Sequence, residues 1–121
     1  MSCTATIRNV GDVAIVDLSG RFTMGDASGL IRGTVAGALQ SGTRNILLNL
    51  KQVTYLDSAA GIGELVSSYM SAVREGARLK LLHADKNIDH VLHITRLHTV
   101  FEIYDEEDAA IRSFQELSTR T

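Results

Sequence analysis

The sequence contains no proline, no tryptophan, a single cysteine and only 5 % aromatic residues. One cysteine, Cys3, excludes an internal disulfide and a zinc site built from cysteines. Few aromatic rings, and 12 basic residues against 14 acidic ones, argue against strong nucleic-acid binding, which needs stacking surfaces and a cationic face. No apolar run approaches the ~18 residues that span a membrane, and the first residues lack the pattern of a signal peptide. We therefore expect a cytoplasmic protein that binds neither nucleic acid directly nor a membrane.

The residues that are present favour one α/β domain. The chain has 121 residues, of which 45 % are hydrophobic and 21 % charged, with a formal net charge of −2. These values are close to those of globular domains, and the length suffices for one core. Because aromatic residues are scarce, that core must be built from valine, isoleucine, leucine and alanine. We treat residues 1–121 as a single domain with a core over about residues 5–117.

Hydrophobic periodicity predicts the element order β-β-α-β-α-β-α-β-α. The predicted strands cover residues 4–10, 12–18, 45–50, 78–83 and 100–104, and the predicted helices cover 26–40, 62–75, 87–94 and 105–117. The polar segments 19–26 and 51–60 are predicted to be loops. Short connections imply right-handed crossovers and a mixed, mainly parallel sheet of about five strands, antiparallel only at its start, with about four helices.

One strand-to-helix segment, residues 53–65, carries most of the functional information. A buried strand enters a polar loop, and a helix opens at a pair of glycines, Gly61 and Gly63. Asp57 and Ser58 are the natural N-cap candidates of this helix, as Asp26 is of the first helix. A helix start also attracts anions, so a phosphate on Ser58 would gain contacts there while adding about −1.5 to −2 charges.

The loop sequence Asp57-Ser58-Ala59-Ala60-Gly61-Ile62-Gly63 resembles a motif of a known family. It is similar to the Asp-Ser-(Ser/Thr)-Gly-(Leu/Ile)-Gly stretch of the STAS domain in bacterial anti-sigma-factor antagonists. The resemblance extends to the Gly20-Arg21 turn and to the run 100–104 before an acidic helix start. It spans roughly residues 5–117 and implies a single STAS-like α/β domain.

The resemblance implies a switched protein–protein interaction. In that family the serine after the aspartate is the phosphoacceptor of a partner kinase, which is itself the anti-sigma factor. The unphosphorylated antagonist binds this kinase and frees the sigma factor, and phosphorylation breaks the complex. Carried over from Asp57, the phosphoacceptor is Ser58. The implied partner-binding residues are the rest of the loop and one residue of a neighbouring loop: Asp57, Ala59, Ala60, Gly61, Ile62, Gly63 and Asp26.

The loop departs from the family motif by one residue. Two residues separate Ser58 from Gly61 where the family usually has one, and both are alanine, so the second hydroxyl is missing. Counting forward from Asp57 makes Ser58 the acceptor, whereas counting back from Gly61 places Ala59 at that position.

Two alternative functions remain open for a STAS domain: a scaffold that docks without phosphorylation, and a domain that binds a small molecule in an apolar pocket.

Other candidate sites are weaker. His90 and His93 could share one face of a short helix, but no carboxylate or further ligand completes a metal set, and a polar helix face accounts for them. The Gly61-Ile62-Gly63 run lacks the Lys-Ser/Thr of a phosphate-binding loop. No motif in the sequence identifies a histidine that could act as a base and activate Ser58 as a nucleophile. We therefore expect a binding module rather than an enzyme, with no cofactor and no metal.

Overall fold

The computed structural model describes residues 3–25, 27–57 and 61–119. Within these ranges five strands and four helices alternate after an initial β-hairpin. The strands are β1 (Cys3–Val10), β2 (Val13–Phe22), β3 (Asn45–Leu56), β4 (Arg78–Leu82) and β5 (Ile103–Tyr104). The helices are α1 (Leu30–Gln40), α2 (Gly63–Arg74), α3 (Lys86–Ile94) and α4 (Glu107–Thr119), and a short 3-10 turn covers Leu97–Thr99.

The strands form one sheet in the order β1-β2-β3-β4-β5. The β1–β2 pair is antiparallel and the other three pairs are parallel. Gly11, with a φ of 61°, occupies the first position of the two-residue hairpin turn, where a type II′ turn requires a positive φ. The predicted fold class, a mixed and mainly parallel α/β sheet, is confirmed.

Two hydrophobic clusters lie on opposite faces of the sheet. The larger one joins the sheet to α1, α2 and α3 through residues such as Ile31, Leu65 and Ile88. The smaller one places Ala110 and Phe114 of α4 against Val13, Ile15, Leu47 and Leu82. Because α1, α2 and α3 each follow one of the parallel strands β2, β3 and β4, their amino termini lie near the carboxyl ends of these strands.

Strands β2 and β3 extend beyond their predicted ends. Residues 19–22 and 51–56, predicted to be loops, continue the two strands to Phe22 and Leu56. Polar side chains occupy the exposed positions of the β3 extension, whereas Val53 and Leu56 are buried. The sequence predicts a loop here because Val53 and Leu56, three residues apart, are the two buried side chains of residues 51–56, so neither an apolar run nor an alternating pattern marks a strand. The last strand, β5, is shorter than predicted, with two residues.

Helix α1 starts later than predicted. The expected start was residue 26, but the helix begins at Leu30, and Gly29 holds the N-cap position with a φ of 82°. The backbone turns through residues 27–29 instead, with the N–H of Leu30 donating to the carbonyl of Ala27 over 3.0 Å. The prediction that Asp26 caps this helix is therefore wrong, and Asp26 itself lies outside the described residues.

Candidate functional site

Strands β2 and β3 end side by side, and this brings two loops together. Phe22 and Leu56 are register partners in the parallel pair. The backbone N–H of Asp57 continues the pairing by donating to the carbonyl of Phe22 over 3.0 Å. The connection from β2 to α1, of which residues 23–25 and 27–29 are described, therefore meets the connection from β3 to α2, of which Asp57, Gly61 and Ile62 are described. We call these the first loop and the second loop.

The Asp57 carboxylate connects the two loops. Its Oδ2 accepts a hydrogen bond from the backbone N–H of Met24 at 2.8 Å, and its Oδ1 accepts one from Gly61 at 3.2 Å. Its carbonyl also accepts the N–H of Ile62 at 2.9 Å. Ile62, not Asp57, holds the N-cap position of α2, so the predicted cap assignment is wrong. Asp57 instead closes the turn that precedes the helix and holds the first loop against it.

A second carboxylate, Glu64 in the first turn of α2, reaches the start of α1. It accepts hydrogen bonds from the backbone N–H groups of Gly29 and, at 3.1 Å, Arg32. Helix α1 has no acidic residue in its own first turn, so Glu64 supplies the negative charge that its amino terminus favours. Glu64 is 6 % exposed, and burial of a carboxylate is costly unless it is hydrogen-bonded in this way.

Sequence reasoning missed Glu64, although a signal for it was present. Glu64 lies one helical turn before Ser68 and two before Ala72, and both of these residues are buried. A charged residue on the buried face of an amphipathic helix indicates a specific polar partner. That partner is the end of another helix, which could not be identified without the three-dimensional arrangement.

Gly61 allows the second loop to turn tightly against β3. A Cβ at this position would lie 2.8 Å from Cδ2 of Leu56 and 3.0 Å from its Cα. Because the Cα cannot move without moving the strand, a side chain at Gly61 would displace the start of α2. Ile62 is buried beside it, whereas Gly63 is exposed at the first position of the helix.

Four of the predicted site residues lie within the described ranges: Gly63 is exposed, Asp57 is half-buried, and Gly61 and Ile62 are buried. The predicted phosphoacceptor Ser58 lies outside the described residues, as do Ala59, Ala60 and Asp26. The first loop contributes Met24, whose side chain is 70 % exposed.

A cavity of about 260 Å³ opens beside the second loop. Its wall combines the end of β3, the start of α2 and the first turns of α3, with Tyr55, Leu56, Ile62, Ile88 and Val91 as its apolar side chains. Asp85 also lines it, and its carboxylate accepts the N–H of Ile88 at 2.9 Å as the N-cap of α3. No motif in the sequence indicates that α3 contributes to this region.

His93 of α3 stacks on His98 of the 3-10 turn that follows the helix. The rings of His93 and His98 stack with their centroids 4.0 Å apart, and Nδ1 of His93 donates to the carbonyl of Asp89 over 2.9 Å. Within residues 3–25, 27–57 and 61–119, no three histidine, cysteine or acidic side chains are grouped so that they could hold a metal ion. In the same ranges each helix is too short or too polar to cross a membrane.

Comparison with known proteins identifies the family. The model of the STAS domain family matches residues 4–110. The chain belongs to the STAS domain family. A search of curated protein sequences returned no match to this STAS domain.

Solved structures of similar fold include several anti-sigma-factor antagonists. One from Mycobacterium paratuberculosis is 20 % identical, with a TM-score of 0.81 and coverage of 93 % of each chain. A putative one from Thermotoga maritima is 24 % identical, with a TM-score of 0.78 over 90 % of this STAS domain and 92 % of that chain. SpoIIAA, a cell-fate determinant of Bacillus solved in its phosphorylated form, is 19 % identical, with a TM-score of 0.72. The match covers 92 % of this STAS domain and 99 % of that chain. These likenesses establish the fold that the STAS domain shares with them.

Proposed function

We propose that this STAS domain is an anti-sigma-factor antagonist that binds a serine kinase acting as the anti-sigma factor. Its binding surface comprises the first loop, the second loop and the start of α2, and Ser58 is the phosphoacceptor. The observation that carries the proposal is the Asp57 carboxylate, which hydrogen-bonds Met24 and Gly61 and so holds both loops in one surface. Ser58 follows Asp57 directly in the sequence. The fold shared with SpoIIAA, solved in phosphorylated and unphosphorylated forms, supports the same function.

Phosphorylation would switch binding through charge. The Ser58 hydroxyl oxygen attacks the γ-phosphorus of the kinase-bound ATP, ADP leaves, and the hydroxyl proton passes to a base of the kinase. The phosphate brings about −1.5 to −2 charges to a surface that already carries the Asp57 carboxylate. Burying that charge against the kinase costs far more than burying a hydroxyl, so the complex dissociates. The STAS domain supplies the acceptor and the surface, without enzymatic activity or a cofactor of its own.

Phosphate mapping tests this function. The chain is incubated with the anti-sigma-factor kinase of the same organism and ATP, and the phosphorylated peptide is located by mass spectrometry. We expect one phosphate on Ser58, none on the Ser58→Ala variant, and normal phosphorylation of Ser71→Ala, which alters a serine in the last turn of α2. A stable kinase complex without phosphate would instead identify a scaffold STAS domain.

The extra alanine of the second loop requires a separate variant. If the family motif is aligned with the loop from Asp57, Ser58 is the residue at the phosphoacceptor position. If the motif is aligned from Gly61, Ala59 is at that position. A Ser58→Ala, Ala59→Ser double variant distinguishes these arrangements, because the first predicts no phosphate and the second predicts phosphate on residue 59. The first result is the one we expect.

The cavity beside the second loop supports a second candidate function, binding of a small apolar molecule. Its volume of about 260 Å³ is slightly below the usual range for ligand sites, and apolar side chains form most of its wall. Screening of small apolar compounds by thermal denaturation tests this function. A ligand should raise Tm of the wild-type chain and leave Tm of Val91→Phe, whose larger side chain fills the cavity, unchanged.

A further inference from the structure

Strand β1 is an exposed sheet edge without the usual protection against pairing. It has eight residues and, among the strands that the structure describes, pairs with β2 alone, whereas the strand at the opposite edge, β5, has two residues. Natural edge strands are blocked by proline, lysine, bulges or short length. The chain has no proline, β1 contains no lysine, and the β1–β2 register runs without a shift from Cys3 to Val10.

The hairpin register fixes which backbone groups of β1 point outward. In a two-residue hairpin the residues that flank the turn, here Val10 and Val13, form a hydrogen-bonded pair. Because bonded and non-bonded pairs alternate, the even-numbered residues of β1 direct their N–H and C=O groups toward β2. The odd-numbered residues, Cys3, Ala5, Ile7 and Asn9, direct theirs away from the sheet.

The one charged side chain of β1 does not oppose pairing. The Arg8 guanidinium is held at 2.6 Å from Asp17 and at 2.6 Å from Glu107, so its charge is neutralised within its own domain. The remaining side chains of β1 are uncharged. A second copy of β1 therefore meets no unpaired cation on this strand.

Ile7 supplies an apolar contact at the centre of this edge. It is 41 % exposed and, with Asn9, forms one side of a groove whose other side includes Gly33 and Gly37 of α1. The groove has a volume of about 400 Å³, and it leaves the Ile7 side chain accessible on the α1 side of the sheet. If two β1 strands pair antiparallel about Ile7, the two Ile7 side chains lie opposite each other, and Ala5 faces Asn9 of the other copy. β-Branched side chains in such cross-strand pairs stabilise a sheet.

We propose that two copies of this chain associate through antiparallel pairing of their β1 strands, centred on Ile7, to form one continuous ten-stranded sheet. A twofold axis perpendicular to the sheet places α1 of both copies on the same face, on either side of the β1 pair. The surface lies at the opposite edge of the sheet from β5 and does not use Asp57 or Gly61. The proposal is therefore independent of kinase binding.

Sedimentation velocity of the full chain tests the proposal from low micromolar to near-millimolar concentration. We expect the mass to rise from 13.1 kDa toward twice that value in the wild type and to remain at 13.1 kDa for Ile7→Lys, which places two ammonium groups opposite each other. The matched control is Ile94→Lys, since Ile94 at the end of α3 is 67 % exposed and lies far from β1. It should associate like the wild type.

Amide hydrogen exchange at both ends of the concentration range locates the interface. The outward amides of Ala5, Ile7 and Asn9 should exchange more slowly at high concentration, whereas the inward amides of Thr6 and Arg8 should be protected at every concentration. A chain that stays at 13.1 kDa throughout overturns the proposal. So does a dimer that survives Ile7→Lys, or one in which the outward amides of β1 exchange at a constant rate.

Discussion

Oδ2 of Asp57 lies 2.8 Å from the backbone nitrogen of Met24, in the loop that follows a different strand. The same carboxylate also accepts the N–H of Gly61. One side chain thus fixes the position of the first loop relative to the second, directly before Ser58 in the sequence. The proposed binding surface depends on this arrangement, because the two loops follow different strands and this carboxylate hydrogen-bonds both.

Replacement of Asp57 by asparagine should loosen the first loop. Both backbone N–H groups lose a charged acceptor, and one of them faces the NH2 donor of the amide instead, so we expect a loss of about 1–2 kcal/mol in the free energy of unfolding. Urea denaturation measures the loss, and hydrogen exchange at Met24 should accelerate. Asp85→Asn is the matched control, since asparagine caps a helix as well as aspartate does and α3 should be unaffected. Equal losses in both variants would contradict the role given to Asp57.

Glu64→Ala should destabilise the domain by about 2–3 kcal/mol, because it leaves the N–H groups of Gly29 and Arg32 without an acceptor at the positive end of α1. Glu64→Gln should lose less, since its amide oxygen retains one of the two bonds. Chemical denaturation measures both values. The control Glu75→Ala, at an exposed position after α2, should change stability by less than about 0.5 kcal/mol. A similarly small change for Glu64→Ala would show that α1 does not depend on this carboxylate.

Two glycine-to-alanine changes should have opposite effects on stability. At Gly61 the new Cβ would lie within 3.0 Å of the Leu56 Cα, so strand or helix must shift, and we expect a loss of about 1–3 kcal/mol. At Gly33, inside α1, the Cβ meets no atom within 4 Å, and alanine should stabilise the helix by about 0.5–1 kcal/mol. Thermal denaturation of the two variants provides the comparison. A tolerated Gly61→Ala would mean that the second loop is not held against β3.

Arg8 connects β1, β2 and α4 through two carboxylates. Its hydrogen bonds hold the pKa of Glu107 below the ordinary value of 4.5. Burial acts to raise the pKa of Asp17, but hydrogen bonds from Arg8 and Asn49 outweigh it and leave the value below 3.8. Both carboxylates therefore bind protons more weakly in the folded chain than in the unfolded chain.

Stability should consequently fall with acidification. The contribution of the two carboxylates is complete above their ordinary values of 3.8 and 4.5 and is lost as the pH falls through the lower folded values. Arg8→Met removes the guanidinium that lowers both pKa values. The free energy of unfolding of this variant should therefore decline less steeply as the pH falls below about 4.5. Arg112→Met, which removes the same charge from an exposed position of α4, should retain the wild-type slope. Parallel slopes for wild type and Arg8→Met would contradict the assignment.

The fold was predictable because its buried elements have strong patterns. The almost fully apolar run at residues 45–50 predicts a central strand, and this strand lies between β2 and β4 as expected. The errors fall where one side of an element faces solvent. The end of β3 carries Lys51, Gln52, Thr54 and Tyr55 at exposed positions, so its strand character depends on pairing with β2, which local sequence does not encode.

The candidate site was only partly predictable. The loop motif indicated Asp57 and Gly61. Asp57 hydrogen-bonds Met24 and Gly61, and Gly61 lies close against Leu56 at the end of β3. The positions of Gly29 and Glu64 were not foreseen, because the cap of α1 comes from a residue 35 positions later in the chain. Such contacts between distant residues depend on which strands are neighbours in the sheet. The order of strands in the sheet cannot be read directly from a single sequence.

The affinity of the kinase for the unphosphorylated and the phosphorylated chain tests the central claim most directly. Isothermal titration should show tight binding of the unphosphorylated chain and a large loss of affinity after phosphorylation, which Ser58→Asp reproduces in part. Ser41→Asp places the same charge at the carboxyl end of α1, on the opposite side of the domain, and should bind like the wild type. Equal affinities for the two forms of the chain, or equal effects of Ser58→Asp and Ser41→Asp, would contradict a binding surface switched at Ser58.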